Sequence, residues 1–395
     1  MTAQAYTPPF SRNDPSPIAQ WFWTVDRGLL GAALSMIGLG VCLSFASSPA
    51  AIHADESITD PFHYAWRMMV FAAGGVGVML VTSLLSPRGV RRIAVLSMLG
   101  AILVMAMLPF IGDTVKGAAR WIDLGPFSLQ PSEFAKPALI VFSAWMFAEA
   151  QKGQGVPGVS IAFAVWALTV GLLLIQPDIG QTLLITTTFV AVFFMAGVPF
   201  KWMAVIASAG MAGLISLYFV FGHMRDRLSR FGSSDQDATF QVDRAAEAIR
   251  AGGLFGRGVG EGVMKRKVPD LHTDFIYSVG AEEFGLVLSL VMVSLYAFIV
   301  VRGLGRAMKL NDPFEQIAAA GLFMLIGLQA CINMAVNLAL IPTKGMTLPF
   351  VSYGGSSMLA MGLTMGFALA LTRRRPGAYE PGSTSWRPRR SLLPR

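Results

Sequence analysis

Long apolar blocks separated by short polar segments run along the chain, and several reach the ~20 residues an α-helix needs to cross a bilayer core. The blocks are Leu29–Ala46, His63–Leu85, Ile93–Ile111, Phe134–Ala148, Val159–Ile175, Ile179–Gly197, Trp202–Gly222, Phe275–Val301, Ile317–Ile341 and Ser356–Thr372. No run has the alternation of a membrane β-barrel strand. The pattern therefore predicts an all-α, polytopic inner-membrane protein of about ten transmembrane helices.

Composition agrees: 54% of the 395 residues are hydrophobic and 14% charged, against ~45–50% and ~25% in soluble domains. Short loops carry cations unevenly. One set holds Arg88, Arg91, Arg92, Lys152, Lys201, Arg302, Arg306, Lys309 and Arg373 to Arg375, whereas the other holds Lys116, Arg120 and Lys344. The positive-inside rule then places both termini in the cytoplasm. It leaves extracytoplasmic loops at 112–133 and 223–274, the second a large outer loop between helices 7 and 8. Residues 1–26 read as a disordered tail, 27–373 as the transmembrane domain and 374–395 as a basic disordered tail. The net charge of +8 is accounted for by topology and anionic lipid rather than nucleic acid. Cys42 and Cys331 read as apolar fillers, and the four histidines lack metal-site spacing.

Polar residues in or beside the spans are expensive there and carry more information. Arg67 lies in the second span, where a structural ion pair with Glu282 or Glu283 is one reading and a ligand role the other. Glu133 and Lys136 open the fourth span behind Pro131, as a capped helix with an ion pair or as part of a ligand site. Asp178 stands between the fifth and sixth. Gln329, Asn333 and Asn337 recur every four residues, forming a stripe that either bonds neighbouring helices or lines a cavity. The run "GGLFGRGVGEGVMKRK" reads as a turn-rich loop near anionic head groups and matches no nucleotide fingerprint. The stretch "VPDLHTDFIYSVGAEEFG" raises its own question, because Glu282 and Glu283 sit where hydrophobicity is already rising.

In order, "GAARWI", "QPSEFAK", "QPDIG", "GGLFGRGVGEG", "HTDFIYSVGAEEFG" and "PTKGMTLPFVSYGGSS" resemble the landmarks of the SEDS family of bacterial shape, elongation, division and sporulation proteins. The resemblance runs from the first span to the tenth, and "PTKGMTLPF" is closer to division members than to elongation members. Ala119 departs from it, since relatives often have Lys or Arg there. The resemblance implies a peptidoglycan glycosyltransferase that polymerises lipid II into β-1,4 glycan strands for septal wall synthesis. It also implies a class B penicillin-binding protein and other divisome membrane proteins as partners. Asp274 would be the catalytic residue, a general base in an inverting displacement. Arg120, Trp121, Gln130, Ser132, Glu133, Lys136, His272, Thr273 and Lys344 would bind substrate, with Arg120 and Lys136 on the departing pyrophosphate. A divalent cation, Mg²⁺ or Mn²⁺, is an open option as a bridge to that group. For Asp274 the competing reading is an N-cap of the eighth span. For the whole chain the competing functions are a lipid II flippase and a non-catalytic scaffold.

Overall fold

The computed structural model describes residues 16–52, 60–115, 118–125, 128–153, 155–197, 208, 236–264, 271–342 and 345–373. The predicted span Trp202–Gly222 (apart from Ser208), the basic tail, and Lys116, Lys201, Asp270 and Lys344 lie outside the described residues.

The first helices are α1 (Pro17–Thr24), α2 (Arg27–Ile52), α3 (His63–Ser83) and α4 (Pro87–Ile111). Three short strands follow, β1 (Asp113–Val115), β2 (Ala118–Asp123) and β3 (Ser128–Leu129). Then come α5 (Pro131–Gln151), α6 (Gly158–Ile175), α7 (Ile179–Met195), α8 (Gln236–Gly252), α9 (Ile276–Ala307), α10 (Pro313–Asn337) and α11 (Gly355–Thr372). Starts follow local chemistry. Ser86 and Asp312 cap α4 and α10 through the amides of Gly89 and Glu315, each with proline at the first helical position.

Seven of these, α2, α3, α4, α6, α9, α10 and α11, are long and apolar enough to cross a membrane. Two more predicted spans coincide with helices: α7, at 17 residues, and α5, whose apolar run is broken by Glu133, Lys136 and Glu149. The all-helical architecture carries one small addition. Between α4 and α5 the chain forms a three-stranded antiparallel sheet in the order β1-β2-β3. β1 and β3 are too short for side-chain alternation to register in the sequence, and the six residues of β2, AARWID, do not alternate.

The tail expected to be disordered over 1–26 contains α1. Pro17 opens that helix, Ser16 accepts from the Ala19 amide, and the Trp21 indole donates to Ser83 Oγ at 2.8 Å. Just beyond it, the buried Asp26 carboxylate takes Arg302 Nε at 2.9 Å and Arg306 Nε at 2.7 Å. Burial alone would push this carboxyl up. Hydrogen bonds from Arg302 and the Leu29 amide, with the charges of Arg306 and Arg302, hold it below the usual range instead. Stability from a lowered carboxylate is present above its unfolded value, about 3.9, and is lost as pH falls through the folded value. The thermal midpoint should therefore fall on acidification through this range, whereas Asp26→Asn should be less stable at pH 7 and flatter in acid. Unfolding scans in detergent at several pH values measure both.

The core is centred on α11, buried along nearly its whole length. Its closest neighbour is α3, through a seam of small residues. A Cβ on Gly362 would lie 2.3 Å from the Gly75 carbonyl oxygen, and one on Gly366 would overlap Thr82 Oγ1. Only glycine permits that approach of two helices.

Candidate active site

Residues 271–274 form a turn leading into α9, held by Leu271 and Phe275 in an apolar cluster with Val242, Ala245, Val279 and Val336. Asp274 ends the turn half-buried, so its carboxylate is only partly withdrawn from solvent. The N-cap of α9 is Phe275. The side chain that caps the helix comes from α10, where Asn337 Oδ1 accepts from the Ser278 amide at 3.2 Å. The capping reading of Asp274 is thereby displaced.

The polar stripe of α10 is a scaffold for this turn. Asn333 and Asn337 both donate to the Asp274 carbonyl, at 2.9 and 3.0 Å. Asn333 also donates to the Met346 carbonyl at 2.6 Å. Gln329 donates to the Thr347 carbonyl at 3.0 Å, and Thr347 Oγ1 lies 2.6 Å from Ser357 Oγ. One helix face thus ties the turn to the segment before α11. That segment reaches the carboxylate: Gly345 has φ 61°, and a Cβ there would lie 3.9 Å from Asp274 Oδ2.

An aromatic group stands beside the turn. The His272 ring stacks on Tyr64 at 4.4 Å, and Tyr353 lies 5.4 Å from each. The Tyr353 amide donates to the His272 carbonyl at 3.0 Å. Burial pushes the Tyr353 hydroxyl above its usual range, against the nearby positive charge of Arg67. It is therefore protonated at neutral pH and able to donate a hydrogen bond. Arg67 itself lies 5.9 Å from the Phe71 ring centre. The Tyr64 and Tyr353 contributions were not legible in advance, because α3 and the α11 approach are distant in sequence and neither tyrosine carries a charge.

A second polar cluster lies deeper. Lys136, 1% exposed, donates to Glu133 Oε1 and Gln329 Oε1, both at 2.8 Å. Gln181 donates to the same Glu133 oxygen at 2.7 Å. Asp178 caps α7 through the Gln181 amide and lies 3.4 Å from Gln130 Nε2. Burial pushes the Asp178 carboxyl up, opposed by Arg120, whose Nε is 4.0 Å away. Arg120 also donates to the carbonyls of Gln176, at 3.1 Å, and Pro177. Its neighbour Trp121 is half-buried on β2, paired with Asp113, and Ser132 is buried in the first turn of α5.

The family model of the FTSW_RODA_SPOVE cell cycle proteins matches residues 28–376. The chain belongs to that family. A relative from Caulobacter vibrioides, called probable peptidoglycan glycosyltransferase FtsW, is 64% identical over 370 residues, covering 94% of this chain and 95% of the relative. Its namesake in Geobacter sulfurreducens is 34% identical, covering 89% of this chain and 96% of the relative. Among solved structures, a chain of a peptidoglycan synthase complex that coordinates polymerization and crosslinking aligns with a TM-score of 0.72 at 25% identity, over 88% of this chain and 97% of that one. The rod shape determining protein RodA of Thermus thermophilus aligns at 0.64 and 27%, over 88% and 96%. Shared membership and fold carry over the multi-pass membrane architecture.

Within this family architecture the expected residues fall into two groups. Asp274, Thr273 and His272 share one turn. Gln130, Ser132, Glu133, Lys136 and Arg120 belong to the deeper cluster and its rim, joined to the first group through Gln329 and Thr347. In the described arrangement Arg120 and Lys136 hold protein carbonyls and carboxylates, the reverse of cations held open for an anion. Glu282 and Glu283 face the glycine-rich loop: their Oε1 atoms accept from the amides of Met264, at 2.7 Å, and Gly260, at 3.3 Å. Among the described residues, no group of three or more His, Cys, Asp or Glu is placed to hold a metal ion.

Proposed function

We propose that this protein is a peptidoglycan glycosyltransferase that polymerises lipid II at the outer face of the cytoplasmic membrane during septal wall synthesis. The family and its named relatives support the activity. The observation that carries the site is the Asp274 turn, whose backbone carbonyl is held by two asparagines of α10, fixing the half-buried acid beside the segment that leads into α11. The uneven distribution of loop cations supports cytoplasmic termini and an outward-facing site.

In the reaction, the acceptor sugar 4-hydroxyl attacks the anomeric carbon of the donor. Asp274 takes the hydroxyl proton as the new C–O bond forms, and the pyrophosphate leaves with the electron pair of the bond that breaks. A positioned base contributes ~10²–10⁴-fold. One displacement inverts the anomeric centre. The leaving group needs positive charge more than a proton. We assign this to Arg67 and Lys344, the latter the chain neighbour of Gly345, with Arg120 and Lys136 shaping the wall behind. A divalent cation could add charge through a carboxylate and the pyrophosphate. The partner we assign is a class B penicillin-binding protein transpeptidase, among other divisome membrane proteins, on the strength of the synthase complex this fold resembles.

Purified protein in vesicles with lipid II and the transpeptidase should yield long glycan on a gel, with a chelator arm reporting any metal need. Transbilayer movement of fluorescent lipid II without glycan product would sink the proposal in favour of a flippase. Normal partner recruitment with neither activity would favour a scaffold. Asn337→Leu should lower kcat about tenfold, the equivalent of one or two lost hydrogen bonds, with KM little changed. Steady-state polymerisation separates the two constants.

A further inference from the structure

α9 changes character at Gly285, whose φ of 74° and ψ of −165° break the helix. Before it, the side chains from Ile276 to Glu283 are buried. After it, Leu286, Val287, Leu290 and Val291 are exposed on an apolar spanning helix, where exposure means contact with lipid. The hydrocarbon boundary on this side of the protein therefore lies close to Gly285.

The loop that follows α8 is fastened at that level. The Leu286 and Val287 amides, freed by the break, donate to the carbonyls of Gly253 and Leu254 at 3.0 and 3.3 Å. The Arg257 and Gly258 amides donate to the carbonyls of Glu282 and Glu283, both at 3.0 Å. The glycines allow this contact: a Cβ on Gly252 would lie 1.9 Å from the Ala281 oxygen, and one on Gly256 2.0 Å from the Glu283 oxygen. Both glutamate side chains add to the clasp by accepting from the Met264 and Gly260 amides of the same loop. These backbone groups are satisfied within the protein, which is what backbone near a bilayer requires. Yet the loop exposes Leu254, Phe255, Val259 and Val263, with Phe255 82% exposed. Such a cluster facing water would be costly and is seldom left without a partner.

We infer that this loop is a membrane anchor, with Leu254, Phe255, Val259 and Val263 seated among phospholipid acyl chains of the outer leaflet beside the first lipid-facing turn of α9. The occupant is bulk lipid because the patch continues the lipid-facing surface of α9. Arg257, exposed beside it and donating through Nε to the Ala251 carbonyl at 3.1 Å, adds a cation at the level of the head groups. The anchor also sets a height. At 1.5 Å per residue, the helix from Ile276 to Gly285 lifts the Asp274 turn at most about 15 Å above the boundary. A head-group layer takes up roughly 5–8 Å on each side of a bilayer. The turn is therefore held within about 15 Å of the hydrocarbon edge, at or beyond the head-group layer, where a sugar carried on a pyrophosphate would emerge. That last step rests on the glycosyltransferase reading, whereas the anchor itself does not.

The test uses the full chain with Cys42→Ala and Cys331→Ala, reconstituted in phosphatidylethanolamine–phosphatidylglycerol vesicles without partner. Nitroxide labels are placed singly through Leu254→Cys, Phe255→Cys, Glu261→Cys and Asp243→Cys, the last on α8 near the Asp274 turn. Power-saturation spectroscopy should show labels at 254 and 255 relaxed by oxygen and protected from a water-soluble nickel chelate, and labels at 261 and 243 the reverse. Nickel access at 254 and 255 would overturn the anchor and point to a protein partner as the missing cover. Shielding from both relaxants would also overturn it. An oxygen-favoured label at 243 would overturn the height. None of these readings uses activity, so a failure of polymerisation would remain distinguishable from a failure of the anchor.

Discussion

Asp274→Asn should lower glycan polymerisation by roughly 10²–10⁴-fold, the usual worth of a positioned base, while leaving the thermal midpoint close to wild type. The two expectations belong together. The carboxylate does not cap α9, since Asn337 fills that role from the neighbouring helix, and the turn is held through its backbone carbonyl. The amide keeps the size and shape of the acid and loses the capacity to accept a proton. Lipid II turnover on a gel, alongside a detergent unfolding scan, reads both quantities. Near-normal turnover would remove Asp274 from the chemistry, and a collapsed midpoint would make it structural.

Lys136→Met should be strongly destabilising. It leaves the Glu133 carboxylate, 2% exposed, without its cation, and breaking a buried pair from one side costs about 3–5 kcal/mol. Gln329 would lose a partner at the same time. Glu133→Gln with Lys136→Met should recover most of the loss, because no charge then remains buried. Unfolding midpoints of the two variants and wild type measure this. A double variant no better than the single would mean that the geometry of the Gln329 and Gln181 contacts matters more than the charge.

Much of this architecture was legible from hydropathy alone, since membrane helices must be long and apolar and their starts carry proline, serine or aspartate for reasons local to each. The Asp274 turn was legible through motif resemblance, and the α10 stripe through its spacing of four. What Asn333 and Asn337 bind was not, because a spacing fixes a face and leaves its partner open. The role of Glu282 and Glu283 was hidden for a different reason. They meet the amides of a loop that docks only because α9 breaks at Gly285, and an isolated glycine in an apolar run does not announce a break. Arg120 and Lys136 read as cations awaiting an anion; the partners of Arg120 are the Gln176 and Pro177 carbonyls and Asp178 between α6 and α7, and those of Lys136 are Glu133 on its own helix and Gln329 of α10.

The glycine seam between α3 and α11 bears on how a bulky lipid could enter. At Gly75 and Gly362 backbone is pressed against backbone, with no room for a side chain between the two helices. They behave as one stiff post, with Tyr64 at the head of α3 and Tyr353 just ahead of α11. Packing this close favours movement of the pair as one body, which points any doorway for substrate to a different hinge.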